Sequence, residues 1–191
     1  MKGNDFVKFK KFQSLTKHSG QCQVIQITES DLQFLNNGYA VYPAHNLPEL
    51  NDEMIFALFD IDENKRDNFA ITRVSHTFLN YDDTDDTEEP VVSARFVIKF
   101  NNQDYVVRPV FTKQGLYYYD PKWVAPFDGN YDALYVRYNT ESPTGQPYIA
   151  VKSGLFVVGF VLLRNLNVDL KALANNSRED LQTLCSMLEV D

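Results

Sequence analysis

The sequence predicts an α+β fold in which the middle of the chain forms an antiparallel or mixed β-sheet, with an N-terminal helix and C-terminal helices packed on it. Three observations carry this prediction. β-Branched and aromatic runs crowd into residues 21–166, apolar residues recur at helical spacing only in residues 5–18 and 168–190, and neither βαβ alternation nor an internal repeat is present. At 191 residues the chain is the length of one globular domain. A hydrophobic content of 44%, with 14 Phe and 11 Tyr against 8 Gly and 8 Pro, supplies a core and excludes a disordered or collagenous chain.

The elements follow in order. Phe6, Phe9, Phe12 and Leu15 recur every three residues behind Asn4 and Asp5, which can cap, and Gly20 can end the turn, so residues 5–18 read as a basic amphipathic helix. Gln21–Ile27 alternates polar and apolar and reads as a strand. Thr28 and Asp31 resemble a capping box that opens a short helix stopping at Asn37-Gly38. Val41-Tyr42-Pro43 begins an irregular stretch through Pro48. The apolar run Met54–Phe59, the polar residues 60–68 and the β-rich run Phe69–Leu79 together read as a hairpin.

Arg95–Phe100 and Tyr105–Phe111 flank a four-residue turn, and pairing Phe100 with Tyr105 fixes the register of a second hairpin. Pro109 lacks an amide hydrogen and predicts an edge or bulge there. A turn at Lys113-Gln114-Gly115 extends the hairpin to a meander through Leu116–Tyr119. Strands follow at Ala133–Tyr138, Tyr148–Val151 and Leu155–Leu163, the last without a polar residue, as a central strand covered on both faces requires. Leu181, Leu184, Cys185 and Leu188 then form one helical stripe behind a Ser177 cap, and the stripe is expected to pack on the chain's own sheet.

The net charge of −8 repels phosphate backbones and anionic membranes, so neither nucleic acid nor membrane is expected as a partner. The charge is polarised along the chain. Residues 1–18 hold five lysines against one aspartate, a net +4, whereas residues 49–89 hold thirteen acids against three cations, a net −10. The basic helix is able to lie on the acidic region, although the phenylalanines rather than exposed ion pairs would have to hold it. Cys22 and Cys185 are too few for a disulfide framework and are expected as free thiols. The N-terminus lacks the apolar stretch of a secretory signal, and the longest apolar run, Gly154–Leu163, falls far short of the roughly 20 residues that span a bilayer. A cytoplasmic setting is the default.

Candidate chemistry is sparse. Ser14-x-x-Lys17 and Lys152-Ser153-Gly154 fit two short patterns, and in these alone the chain resembles the penicillin-recognising serine acyl enzymes. The Ser-Asp-Asn element between them is missing and the chain is short for that fold, so the residues read as a solvated helix face and a strand turn. Asp60, Asp62 and Asn64 take alternate positions of a calcium loop, but Lys65 stands where glycine must turn the chain and Ile71 where a bidentate glutamate belongs, which leaves a polar turn. His18, His45 and His76 have no metal-ligand spacing. No cofactor and no metal are expected.

Two stretches remain. Asp82–Glu89 packs six carboxylates into eight residues, including Asp82, Asp83, Asp85 and Asp86, and self-repulsion predicts an extended, mobile loop. Residues 117–138 are rich in aromatics with polar tips, among them Tyr119, Trp123 and Tyr131, together with Arg137; such groups are enriched at binding surfaces and also in cores. The absence of a credible catalytic set favours a non-catalytic interaction domain of inhibitor, immunity or adaptor type, docking another protein through the acidic surface or the aromatic loop. The rival is an enzyme or small-ligand domain with a pocket lined by Tyr119, Trp123, Tyr131 and Arg137.

Overall fold

A computed structural model describes residues 7–27, 32–44, 47–93, 98–100, 105–139 and 145–165. Helix α1 (Phe9–Ser19) begins later than the expected residue 5, with Lys8 rather than Asn4 or Asp5 at its N-cap, and ends where expected, with Gly20 in the left-handed conformation at φ +69°. Phe12 holds it in place, with its ring 4.3 Å from Tyr42 and 5.3 Å from Phe59, while Lys8 N–H donates to the Pro126 carbonyl at 2.6 Å. A Lys17–Asp60 ion pair at 3.2 Å links the helix to the acidic region, so aromatic packing dominates the contact and charge assists it.

β1 (Gln21–Ile27) is a strand as predicted. The short helix expected before Asn37 is instead strand β2 (Leu32–Asn36), paired antiparallel to β1 with Val24 opposite Leu35 and Ile25 opposite Phe34. Phe34 and Leu35 are both buried on opposite sides, a demand that a strand meets and a one-faced helix does not. Asn37-Gly38 stops no helix; the Asn37 side chain accepts the Tyr39 and Ala40 N–H groups and closes a hairpin into β3 (Ala40–Pro43). The region expected to be irregular from Val41 is therefore a strand, with Pro43 at its end, where a missing N–H costs least. Thr28–Asp31 and His45 lie outside the described residues.

The first predicted hairpin is also overturned. Asn51 accepts the Met54 N–H at 2.9 Å and caps helix α2 (Asp52–Leu58), with Asp52 and Glu53 in its first turn. Ile55 and Phe59 go inward, a 3₁₀ turn covers Glu63–Asn68, and β4 (Ala70–Val74) pairs parallel to β1 rather than back onto Met54–Phe59. The would-be calcium residues are dispersed: Asp60 pairs with Lys17, and Asp62 pairs with Lys65 at 3.0 Å.

Further on, β5 (Glu89–Pro90) and β6 (Val92–Ser93) are short. β7 (Ile98–Phe100) pairs with β8 (Tyr105–Thr112) in the predicted register, Phe100 opposite Tyr105. Arg95–Val97 and the turn at 101–104 lie outside the described residues. β9 (Gly115–Tyr119) completes the meander. Pro109 falls where β8 changes partner on its far side, between the β7 contacts at 105–107 and the β6 contacts at 110–111. β10 (Ala133–Tyr138), β11 (Pro147–Ser153), β12 (Phe156–Leu162) and β13 (Arg164–Asn165) follow. The C-terminal residues from 166, including Leu181, Leu184, Cys185 and Leu188, lie outside the described residues.

The result is a mixed eight-stranded sheet, in the order β4-β1-β2-β3-β12-β11-β10-β5, and a five-stranded sheet, β13-β9-β8-β6 with β7 on β8. The fold is mixed α and β, as the sequence predicts. One face of the large sheet, through Val24, Leu35, Tyr42, Ile149 and Val161, packs with α1, α2 and the five-stranded sheet. The opposite face, through Ile25, Phe34, Val41, Tyr148 and Phe160, is covered by the chain around Leu79. β12 contributes to both, as expected for its position. Among the described residues no helix is long and apolar enough to cross a membrane.

Candidate functional site

The aromatic segment turns inward. Asp120 accepts the Lys122 N–H at 2.9 Å and caps the 3₁₀ turn Pro121–Trp123, which lays Trp123 flat on Tyr39 with ring centres 4.4 Å apart. Tyr42 donates its hydroxyl hydrogen to the Trp123 carbonyl at 3.0 Å and stacks on Phe127 at 5.1 Å. Phe127 presses so closely on β12 that a Cβ at Gly159 would meet its ring and lie 2.8 Å from the Val41 carbonyl. Tyr119 is buried, its phenol pushed up by burial against the opposing effect of Arg108, and Tyr131 is half-buried against the same core. Trp123, Tyr119 and Tyr131 thus sit between the two sheets, and neither cavity described below is lined by them.

Arg137 is on the other face of the large sheet and is 0% exposed. Alternation along β10 puts Val136 into the core between the sheets and Arg137 beneath residues 80–89. Its guanidinium donates to the carbonyls of Asn80 and Asp82, each at 2.8 Å, and to Glu88 Oε2 from Nε at 2.9 Å and Nη2 at 2.6 Å. Lys152, one strand away, donates to Glu88 Oε1 and to the Asp83 carbonyl, both at 2.8 Å. Tyr148, directly opposite Arg137, accepts the Asn80 N–H on its hydroxyl oxygen at 2.9 Å. One partly buried carboxylate and a row of backbone carbonyls therefore satisfy two buried cations.

The acidic residues divide by role. Asp85 accepts from Thr87 N–H at 2.7 Å, Thr87 hydroxyl at 2.6 Å and Asn80 Nδ2 at 2.9 Å. Partial burial pushes its carboxyl up, but these bonds and nearby Arg137 outweigh that and hold it below the ordinary aspartate value. Asp83 ties the loop to β12 by accepting the Val157 N–H at 2.9 Å. Asp82, Asp83 and Asp86 are exposed and form no ion pair among the described residues. The two acids of α2, on the opposite side of the sheet, are by contrast paired: Glu53 with Arg66 at 2.9 Å and Asp52 with Arg73 at 2.6 Å. The region of net −10 is thus two surfaces, and the loop expected to be mobile is anchored at both ends and along its length.

Beside this loop stands an apolar tip. Ser153 pairs with Phe156 across the two-residue turn Gly154-Leu155, with Gly154 at φ +61°. Leu155 is 79% exposed and Phe156 63%, adjacent to the Val157 amide that Asp83 holds. The strand expected from Leu155 begins at Phe156, and Leu155 belongs to the turn; the signal for an apolar tip is a leucine directly after Ser153-Gly154, where a polar turn residue is expected. Lys152 faces residues 83–88, on the opposite sheet face from α1, so the Ser14 and Lys152 motifs are not brought together.

Two depressions are prominent. An open basin of about 610 Å³ lies among Glu49–Glu53 and Arg73. A cavity of about 380 Å³ lies under residues 74–79 on the same sheet face as Arg137, floored by Ile25 and Leu162. Among the described residues no group of His, Cys, Asp and Glu is arranged to hold a metal ion; His18 and His76 are exposed and apart. Cys22 is a buried free thiol pushed up to about 12 by burial, with Arg73 opposing, and is unsuited to nucleophilic work. Comparison with known proteins finds no matching family model, no matching curated protein and no matching solved structure.

Proposed function

We propose that the protein is a non-catalytic, cytoplasmic interaction domain that docks a cationic partner protein on the anchored acidic loop and its apolar neighbour. Asp82, Asp83 and Asp86 supply the steering charge, and Leu155 and Phe156 supply the area that water leaves on binding. The observation that carries this reading is the fully buried Arg137, whose bonds to the carbonyls of residues 80 and 82 hold the carboxylates in place before any partner arrives. A loop already ordered loses less entropy on association. A large apolar pair at a hairpin tip also has no folding role that a polar turn would not serve better. The buried free thiol of Cys22 suits a reducing compartment. The rival reading, a pocket lined by Tyr119, Trp123, Tyr131 and Arg137, gains no support, because these side chains are engaged with their own chain.

The test is affinity capture from the native cell with three baits: the wild type, Asp82→Asn/Asp83→Asn/Asp86→Asn, and Phe156→Ser. A basic partner held by the wild type should be lost from both variants, and its association with the wild type should slow steeply as salt rises. A captured set that is identical for all three baits would overturn the reading.

A further inference from the structure

We infer that the cavity of about 380 Å³ under residues 74–79 is a binding site for an uncharged, planar molecule carrying an amide-type edge, independent of the docking surface. Its size falls within the range of about 300–1,000 Å³ in which small-molecule sites lie. Its floor and back are apolar, formed by Ile25, Val74, Leu79 and Leu162, while Phe78 and His76 stand exposed at the mouth. No Asp, Glu, Lys or Arg lines it, in a chain that is 23% charged. A charged ligand would leave water there without a counter-charge, so an uncharged one is favoured.

The polar lining fixes the ligand's edge. Gln23 and Asn36 face each other across β1 and β2, and Asn36 Nδ2 donates to Gln23 Oε1 at 3.0 Å. Asn36 is itself fixed, because its Oδ1 accepts the Gly38 N–H at 2.8 Å. The two bonds orient the Gln23 amide and leave its Nε2 donors without a partner among the described residues, beside an Oε1 with a second lone pair unused. A donor next to an acceptor on one rigid amide is complementary to a carboxamide, lactam or nucleobase edge, the same pairing by which glutamine reads a base. The wall above is also set: Thr77 Oγ1 accepts the Leu79 N–H at 3.2 Å, Asn80 N–H is held by Tyr148, and Phe78 meets the Tyr148 ring edge-on at 6.4 Å.

The probe pair nicotinamide and nicotinate tests this, since the two differ in charge and donor but hardly in shape. Titration of the full chain, followed by the backbone amide resonances of Ile25, Leu79 and Leu162, should show saturable shifts with nicotinamide and none with nicotinate. Gln23→Glu keeps the acceptor for Asn36 and removes the donor, so nicotinamide should bind about tenfold more weakly, the effect of one good hydrogen bond. Leu162→Phe, which fills the floor and leaves Gln23 intact, should weaken nicotinamide as well and serves if Gln23→Glu fails to fold. Absence of localised shifts with nicotinamide up to its solubility limit, equal shifts with nicotinate, or undiminished binding in the variant that folds would each overturn the inference.

Discussion

Residues 117–131 and residues 80–89 make an instructive pair, because each combines polar chemistry with a claim to the surface and the fold treats them oppositely. The aromatic segment goes between the sheets: Trp123 and Phe127 bury wide apolar faces against Tyr39 and Tyr42, and the Tyr42 hydroxyl buried with them donates to the Trp123 carbonyl. Burying a ring gains far more than one hydroxyl costs once that hydroxyl is bonded. A carboxylate has no such option, since no ring-sized area offsets the loss of its hydration. The acidic segment therefore stays outside, yet it is not loose. Fixing it takes buried cations, Arg137 and Lys152, that bond chiefly to its backbone and to the single inward carboxylate of Glu88. Solvated side chains and an ordered backbone thus coexist in the same ten residues.

The sharpest way to break this contrast is to remove the cation. Arg137→Met keeps the volume and deletes every donor, leaving the Asn80 and Asp82 carbonyls unpaired and Glu88 dependent on Lys152 alone. Unfolding by urea should show a loss of about 3–5 kcal/mol, as for other broken buried pairs. A loss under about 1 kcal/mol would mean that the loop does not depend on Arg137. A smaller effect is expected from acid. Asp85 titrates below its ordinary value in the folded chain, so the unfolded chain takes up its proton first as pH falls. Its contribution is fully present above the unfolded value of about 3.9 and is lost as pH drops from there through the folded value. Asp62 and Glu89 are shifted in the same direction, so wild-type stability should fall in that window, and Asp85→Asn should fall less steeply. Equal slopes for the two proteins would remove Asp85 from the latch, the set of bonds by which Arg137, Lys152 and Asp85 hold residues 80–89.

Much of the frame was legible because side-chain pattern and turn chemistry agreed. Phe100 opposite Tyr105, the end of α1 at Gly20 and the two-faced burial of β12 are all local in sequence. Where a short apolar run had no such support, period alone misled: MIFALF is too short to separate strand from helix, and the deciding residue was Asn51, whose cap sits just outside the run. Residues 32–36 failed for the same reason, since Leu32, Phe34 and Leu35 suit either period. The parallel pairing of β4 with β1 joins residues about fifty apart and leaves no local trace. The candidate surfaces were half legible. Asp82, Asp83 and Asp86 stand out by charge, but the inward turn of Arg137 is set by strand alternation against a neighbouring loop, and the Gln23–Asn36 pair exists only through a hairpin where the local pattern predicts a helix.

The smallest effect on stability is expected where the largest effect on binding falls, at the exposed carboxylates. Asp82→Asn/Asp83→Asn/Asp86→Asn moves the net charge from −8 to −5 by removing three charges, and leaves an oxygen at position 83 to accept the Val157 N–H. None of the three is ion-paired among the described residues, and relief of like-charge repulsion around Asp85 and Glu88 works in favour of the variant. Unfolding free energy should therefore stay within about 0.5 kcal/mol of wild type, as for surface substitutions generally. The outcome separates two roles for the same residues. A loss near that of Arg137→Met would make the carboxylates part of the latch, with their exposure incidental. An unchanged stability, together with a lost partner, leaves the latch to the buried cations and the outward charge free for recognition.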